Sequence, residues 1–381
     1  MVIEKEKKEC CGCSACVSIC PTKALELRAD EKGFLYPVVD SSLCVDCGLC
    51  EKVCDFTKFV PTKFEPICYM IKHKNLEEIQ SSRSGAVFMA LCDYVLERGG
   101  YICGCELADK NTIIHNIYNT KEGVNKFKGS KYVQSNMRDS FCTCLELLQQ
   151  GKYVLFSGTG CQVHGFLSFC KLKKINTEKL ITCDLVCHGV PSPAVWNYYV
   201  EEIEKKTGKT VADIDFRDKM RYGWRNHLET FTFVDHSILT SSIWANNFNA
   251  CTMFRESCYN CKYTTPNRMT DFTIADCWGV EKISTEFDDD KGVSLLMVRT
   301  KKGIELFNSI KKNLFFKEIP LKIVMQPQLV HPVTKGIGYA HFWKLYCTNK
   351  STFCRKYFFP SKFDSLMLKV SYKFAKIFKK N

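Results

Sequence analysis

Cysteine is the residue type whose number and spacing most constrain the chemistry of this chain. The 381 residues include 25 cysteines, and near the N-terminus one pattern occurs twice: three cysteines two residues apart, then a fourth after three more. The two copies are Cys10, Cys13, Cys16 and Cys20, and Cys44, Cys47, Cys50 and Cys54. Three closely spaced thiolates wrap around one iron–sulfur cubane, while the fourth reaches the neighbouring cluster. The spacing therefore predicts two [4Fe–4S] clusters, held by Cys10, Cys13, Cys16 and Cys54 and by Cys44, Cys47, Cys50 and Cys20.

Zinc is the alternative metal for these cysteines. A tetrahedral zinc site usually takes separated pairs of ligands, so repeated triplets with a fourth cysteine favour clusters. Cys11 lies inside the first ligand loop, and we interpret it as a residue without a ligand role. The N-terminal residues contain no apolar export segment, so we expect a cytoplasmic protein whose thiols stay reduced.

Charge and hydropathy limit the classes of protein to which the chain could belong. The chain has 54 Lys and Arg against 41 Asp and Glu, a net charge of +13. A cluster-bearing nucleic-acid-binding protein is therefore an alternative, but the interleaved aromatic and basic motifs of RNA or single-strand readers are missing from the sequence. No apolar run approaches the ~18 residues of a spanning helix. From about Ser361, apolar residues at helical spacing with lysines beside them predict a basic amphipathic helix, which either contacts an anionic membrane surface or packs on the body.

The elements that must position these residues change in character after Pro61. Residues 1–60 are rich in cysteine and turns, which predicts a small domain folded around its clusters. Beyond it, strands and helices alternate. Strands are predicted at 67–71, 101–103, 152–156, 180–186, 214–216, 230–234, 271–274 and 293–298, and helices at 85–98, from Pro193 to about Ile203, and at 303–310. The pattern predicts a fold of the α+β or α/β class, with a mixed sheet in the body.

Several short motifs follow one another along the body, after the N-terminal cysteine-rich domain. They are residues 84–86, 129–135, 157–162, 184–193, 216–219 with 223–224, 257–263, and 271–279. Together they resemble the beta subunit of coenzyme F-420 (deazaflavin) hydrogenases and dehydrogenases, over most of residues 66–340. Residues 9–55 are similar to bacterial two-cluster ferredoxins. The chain lacks a Gly-x-Gly-x-x-Gly fingerprint after the strand at 152–156, because Val163 occupies the third glycine position, so a nicotinamide site is not expected.

The resemblance implies FAD, a third [4Fe–4S] cluster and hydride exchange at the flavin. The ligands implied for the third cluster are Cys161, Cys187, Cys258 and Cys261. Cys161 and Cys187 each follow a predicted buried strand, where parallel strands deliver residues to one edge of a sheet. The alternatives are a zinc knuckle from Cys258 and Cys261, buried inert thiols, or a nucleophilic Cys161 assisted by His164 or His188.

The flavin site is expected at turns that expose backbone N–H groups. Small residues before helices bind phosphates through such groups. The candidates are Ser84, Gly85, Ser157, Gly158 and Thr159, with Lys131 and Tyr132 adding charge and stacking. The family usually has Gly where Ala86 stands and Pro where Gly160 stands, and both departures fall among these candidates.

The functional prediction is an iron–sulfur flavoprotein oxidoreductase whose flavin joins two-electron hydride exchange to one-electron cluster chemistry. Candidate substrate contacts are His188, Arg217 and Lys219. The expected partner is an electron donor or acceptor, either a deazaflavin coenzyme, a ferredoxin or another redox protein. By resemblance alone, a substrate of surface polysaccharide biosynthesis is a further alternative, and the sequence does not choose among them. A pure electron-transfer ferredoxin without flavin is the other alternative. The predicted domains are 1–60, 66–148, 150–340 and a tail at 341–381.

Overall fold

A small N-terminal module precedes a larger body in the computed structural model, which describes residues 5–361. The module contains helices α1 (Ala15–Ile19) and α2 (Leu49–Val53) and an antiparallel pair of strands, β1 (Leu25–Ala29) and β2 (Leu35–Val39). Ala15, Ile19 and Val53 are buried in one cluster with aromatic side chains of the body. The module is therefore packed onto the body. Burial of Ile19 and of Val53 stabilises this contact by about 1.5–3 kcal/mol each.

The body begins with alternating strands and helices. Its first half contains β3 (Ile67–His73), α3 (Leu76–Ser81), α4 (Val87–Leu96), β4 (Tyr101–Asp109), β5 (Thr112–Tyr118), α5 (Lys121–Asn125), α6 (Ser140–Gln149), β6 (Val154–Thr159), α7 (Gly160–Leu172) and β7 (Leu180–Leu185). Its second half contains α8 (Pro193–Thr207), β8 (Val211–Asp215), α9 (Lys219–Tyr222), β9 (Glu229–Phe233), β10 (Ile238–Ser241), α10 (Ile243–Asn249), β11 (Phe272–Asp276), β12 (Ser294–Val298), α11 (Lys301–Ile310), β13 (Leu314–Ile319), α12 (Leu321–Val324), α13 (Tyr339–Thr348) and α14 (Lys350–Tyr357).

Eight of these strands form one mixed sheet in the order β13-β3-β12-β11-β7-β6-β4-β5. The four central strands β11, β7, β6 and β4 run parallel, and the outer strands pair antiparallel. Val154, Leu155 and Phe156 of β6 are fully buried, as expected for a parallel strand covered on both faces. The predicted α/β body with a mixed sheet is confirmed.

One local prediction was wrong in detail. The sequence placed residues 157–159 in a loop because Ser, Gly and Thr are typical of turns. In the structure they continue β6, since Ser157, Gly158 and Thr159 pair in parallel register with Cys183, Asp184 and Leu185. Helix α7 then begins directly at Gly160. Within the predicted tail, α13 and α14 bury aromatic side chains such as Phe342 and Phe353.

The predicted start of α8 is confirmed. The Ser192 hydroxyl accepts a hydrogen bond from the Val195 N–H, and Pro193 is the first helical residue. The predicted amphipathic helix beyond Ser361 lies outside the described residues. Within residues 5–361, none of the helices combines the length and the apolar character that crossing a membrane requires.

Candidate cluster and cofactor sites

The two ferredoxin-type loops repeat one backbone conformation. In the first loop Gly12 and Ser14 have positive φ angles of 70° and 69°, and in the second Asp46 and Gly48 have 49° and 69°. A short helix follows each loop, and the fourth cysteine of each copy caps the C-terminal end of that helix. The cysteine repeat is therefore a structural repeat, since equivalent backbone turns present equivalent thiols.

The first predicted ligand set lies together. Burial raises the pKa of Cys16 well above its usual value, and the neighbouring thiols of Cys13, Cys10 and Cys54 raise it further. These are the four cysteines assigned to one cluster by spacing. In the second set, Cys47 is exposed and Cys20, Cys44 and Cys50 are half-buried. The second loop thus faces solvent more than the first.

Four cysteines of the body line a single cavity, called here the four-cysteine cavity: Cys161, Cys187, Cys258 and Cys261. Cys161 lies in the first turn of α7, and Cys187 follows β7, so the parallel pairing of β6 and β7 brings them to one sheet edge. Cys258 and Cys261 lie on a short 3-10 turn and directly after it. Burial raises the pKa of Cys187 to about 12, and the thiols of Cys161 and Cys261 raise it further. The donor set fits an iron–sulfur cluster, because thiolates are the ligands that such clusters take.

Cys11 also reaches this cavity. The neighbouring thiols of Cys13 and Cys161 raise the pKa of Cys11 well above its usual value, and Cys11 lines the same cavity. On the other side, a Cβ added at Gly165 of α7 would lie 2.8 Å from Cys13 Sγ, so the first loop is packed directly against α7. The cysteine spacing assigns Cys11 no ligand role, yet Cys11 lies between the first ferredoxin ligand set and the body cysteines. Among residues 5–361, no three or more His, Cys, Asp or Glu side chains are arranged to hold a single metal ion.

A larger cavity of about 950 Å³ opens beside the four-cysteine cavity. Its lining includes six of the predicted flavin residues: Ser84, Lys131, Tyr132, Ser157, Gly158 and Thr159. The seventh, Gly85, packs against the sheet instead, since a Cβ there would lie 2.1 Å from the Ile71 carbonyl oxygen. Ala86, where the family usually has glycine, lines the cavity in the left-handed conformation with φ 64°. The Lys131 ammonium donates to the carbonyls of Lys126, Lys128 and Gly129.

A buried polar chain supports the wall of this cavity at the β6–α7 junction. His115 Nε2 lies 3.0 Å from the Ser157 carbonyl oxygen, which can only accept, so this nitrogen carries the proton. The other ring nitrogen, Nδ1, then accepts from the Ser135 hydroxyl at 2.8 Å, and Ser135 Oγ accepts from the Gln162 amide at 3.0 Å. The Gln162 carbonyl oxygen finally accepts from the Thr159 N–H at 2.9 Å. Burial lowers the pKa of His115 to about 4, which keeps the ring neutral as this chain requires.

The large cavity is also lined by three arginines and one tryptophan, namely Arg83, Arg217, Arg225 and Trp278. Arg217 donates to an Asp276 carboxylate oxygen at 3.1 Å and to backbone carbonyls, and Trp278 stacks on Trp224 with ring centroids 4.9 Å apart. The buried His227 Nε2 has no hydrogen-bond partner among residues 5–361. Burial, with the nearby charges of Arg217 and Arg83, lowers the pKa of His227 to about 3. A neutral ring with an unpartnered nitrogen is suited to hydrogen-bond a bound molecule.

The other two substrate candidates lie in different surroundings. His188 lines both cavities, accepts from the Gln328 amide through Nδ1 at 2.6 Å, and lies 3.3 Å from Cys251 Sγ through Nε2. Lys219 lies outside the cavity lining and donates to the carbonyls of Ile79, Ser84 and Lys291. Burial lowers the pKa of Lys219 to about 7. Its contacts hold three backbone segments together.

Two parts of the chain match models of known families. Residues 9–57 match the 4Fe-4S dicluster domain, and residues 151–322 match the C terminus of the coenzyme F420 hydrogenase/dehydrogenase beta subunit. Residues 151–322 are thus similar to this beta subunit, and they follow a segment similar to the 4Fe-4S dicluster domain. The resemblance drawn from the motifs is confirmed. The chain is an iron–sulfur oxidoreductase related to the F420 hydrogenase/dehydrogenase beta subunit, and all four cysteines of the four-cysteine cavity fall within the matched region.

One solved structure similar to this chain is the F420-reducing [NiFe] hydrogenase complex from Methanosarcina barkeri, studied by xenon derivatization. The match covers 77% of this chain and 94% of that chain, at 18% sequence identity and a TM-score of 0.45. No curated protein matches the chain significantly.

Proposed function

We propose that this protein binds FAD in the large cavity and a third [4Fe–4S] cluster in the four-cysteine cavity, and passes electrons between them and its ferredoxin clusters. The observation that carries the proposal is a shared wall. Thr159, Cys187, His188, Gly189, Val190 and Gln328 line both cavities. A group held by Cys187 would thus be separated from the large cavity by side chains only. This adjacency suits electron transfer between the two sites.

The large cavity fits a flavin by three features. Its volume of about 950 Å³ lies at the upper end of the usual range for ligand sites. Small residues at Ser84 and at the end of β6 let a ligand approach the backbone near the start of a helix. The unpartnered His227 nitrogen offers a hydrogen bond. When bound, a flavin supplies the conversion between two-electron hydride exchange and one-electron transfer.

The residues around the cavity have separable roles in this proposal. The neutral His115 chain fixes the β6–α7 junction, while Arg217 and Asp276 hold the opposite wall. The expected two-electron partner is a deazaflavin coenzyme, with a ferredoxin or a reducible substrate of surface polysaccharide biosynthesis as the alternatives. The proposed boundaries are a ferredoxin domain at 1–60 and a body at 66–148 and 150–340.

Anaerobic purification with iron, sulfide and flavin quantitation tests the proposal. We expect about 12 irons and one FAD per chain, since each cluster contains four irons. In Cys258→Ala the iron should fall to about 8 irons while the flavin stays, and reduced deazaflavin should still reduce the flavin. Cys277→Ala, also a buried thiol but outside the four-cysteine cavity, is the matched control and should keep all the iron. About 8 irons without flavin in the parent protein would instead identify a pure electron-transfer ferredoxin.

A further inference from the structure

Arg255 is a buried cation placed on the first ferredoxin loop although it comes from the body. Its side chain is fully buried. Its Nε donates to the Cys10 carbonyl oxygen at 2.7 Å, and one terminal nitrogen donates to the Leu35 carbonyl oxygen at 2.9 Å and lies 3.4 Å from Cys10 Sγ. The guanidinium also lies 4.0 Å from the centre of the Tyr36 ring. The arginine therefore contacts the loop backbone, a ligand thiol and the neighbouring strand at once.

The second partner in this contact is Gln134. Its carbonyl oxygen accepts from Arg255 at 3.1 Å, and its amide donates to the Cys11 carbonyl oxygen at 3.1 Å. The Arg255 carbonyl oxygen in turn accepts from the Cys258 N–H at 2.9 Å. One residue thus links the first cluster loop to the turn that carries a body cysteine.

Glycine at position 12 makes this approach feasible. A Cβ there would lie 2.9 Å from the Arg255 guanidinium carbon and 2.9 Å from the Gln134 amide nitrogen. The equivalent position of the second loop is Asp46, which takes the same left-handed conformation with a side chain. The backbone turn alone therefore does not require glycine. Glycine is required at the first loop because Arg255 approaches the backbone closely there.

The charge of Arg255 needs a counter-charge. A buried charge is strongly unfavourable unless it is paired. No Asp or Glu among residues 5–361 forms an ion pair with Arg255, whose partners are carbonyl oxygens, an amide and the Cys10 sulfur. The thiolates of the first loop and the cluster they hold are the negative groups within reach.

We propose that Arg255 is a positioning residue for the first ferredoxin cluster, holding its loop against the body and raising its reduction potential above that of the second cluster. One-electron reduction adds one negative charge to a cluster and its four thiolates, and a fixed positive charge beside them stabilises that added charge. An electron delivered to the pair then favours the first cluster, whose Cys13 packs on α7. The inference rests on the dicluster domain and holds whether or not the body binds a flavin.

Potentiometric titration of anaerobically purified holoprotein, followed by electron paramagnetic resonance, tests the proposal. In Arg255→Gln we expect the equilibrium constant for reducing one ferredoxin cluster to fall at least tenfold, which is about 59 mV for a one-electron couple. The other ferredoxin cluster should keep its potential and is an internal control. Arg255→Lys keeps the charge and should restore most of the loss. Gln134→Leu removes two hydrogen bonds of the same network without changing charge, and should shift the constant less than twofold.

Three results would overturn the proposal: unchanged potentials in Arg255→Gln, equal shifts of both clusters, or a Gln134→Leu shift as large as that of Arg255→Gln. If Arg255→Gln loses the iron of the first cluster, the Arg255→Lys variant distinguishes a role of the charge from a purely geometric role. A lysine variant that retains both iron and potential supports the charge role. A lysine variant that also loses this cluster shows that Arg255 acts only through its geometry, and the proposed effect on potential is then wrong.

Discussion

Replacing Asp184 by Asn should destabilise the body strongly, because Asp184 is the buried carboxylate that balances Arg268 beside the four-cysteine cavity. Asp184 is 0% exposed and Arg268 is 2% exposed, with 3.1 Å between carboxylate oxygen and guanidinium nitrogen. The Thr273 hydroxyl donates to the same carboxylate, and Arg299 donates to that hydroxyl at 2.8 Å. Asparagine keeps the shape and removes the charge, so a buried cation is left without its partner. Removing one member of such a pair costs about 3–5 kcal/mol, a large part of the roughly 5–15 kcal/mol that stabilises a typical protein.

The assay is urea denaturation of the anaerobic holoprotein after a fixed incubation, followed by circular dichroism and by cluster absorbance. Asp184→Asn should unfold at clearly lower urea than the parent. The double variant Asp184→Asn with Arg268→Met should regain part of this loss, since removing both charges relieves the unpaired one. Asp235→Asn, which breaks the exposed pair with Lys209, should change little and is the control. A cost below about 1 kcal/mol for Asp184→Asn, or a double variant no more stable than the single one, would refute the reasoning.

Two further outcomes are expected. Gly165→Ala should gain about 1 kcal/mol of helix propensity, but overpacking against Cys13 Sγ costs roughly 1–3 kcal/mol, so one ferredoxin cluster should bleach faster in air. Ser168→Ala on the same helix is its control, and equal bleaching rates in the two variants would contradict the packing. Stability should fall as the pH drops from about 6.5 towards 4, because the pKa of His115 is lowered to about 4 in the folded protein and the unfolded chain binds the proton first. Urea midpoints measured between pH 7 and 4.5 should decline less steeply in His115→Gln, and identical profiles would contradict this.

The sheet and the body cysteines were predictable where local sequence pattern decides structure. Alternating buried strands and helices predicted a mixed sheet, and two cysteines placed after neighbouring parallel strands were expected at one edge. β6 and β7 show this arrangement for Cys161 and Cys187. The extension of β6 through Thr159 was missed, because small residues typical of turns form a strand when a parallel neighbour pairs with them. Pairing in a sheet depends on two segments of the chain, so the sequence of one segment alone does not determine where its strand ends.

The contacts of the long polar side chains were not predictable, because their partners are distant in sequence. Arg255 contacts Cys10 across 245 positions, and Lys219 donates to a carbonyl 140 positions away. The sequence suggests Lys219 as a substrate contact, yet its acceptors are backbone oxygens. Only Gly12 could have pointed to Arg255, by comparison with Asp46 in the repeated loop. That comparison shows that the turn itself does not require glycine at position 12. It does not identify the side chain whose close approach requires it.

The positions of individual buried positive charges matter more for this protein than its net charge. The net charge of +13 includes many surface lysines, whose fields are screened over about a Debye length in salt. Two arginines, Arg255 and Arg268, are instead buried beside thiols, where screening is weak. Both enter from the segment of residues 255–268, which also carries Cys258 and Cys261. One segment of the body thus places a buried arginine beside the first ferredoxin loop and another beside the four-cysteine cavity.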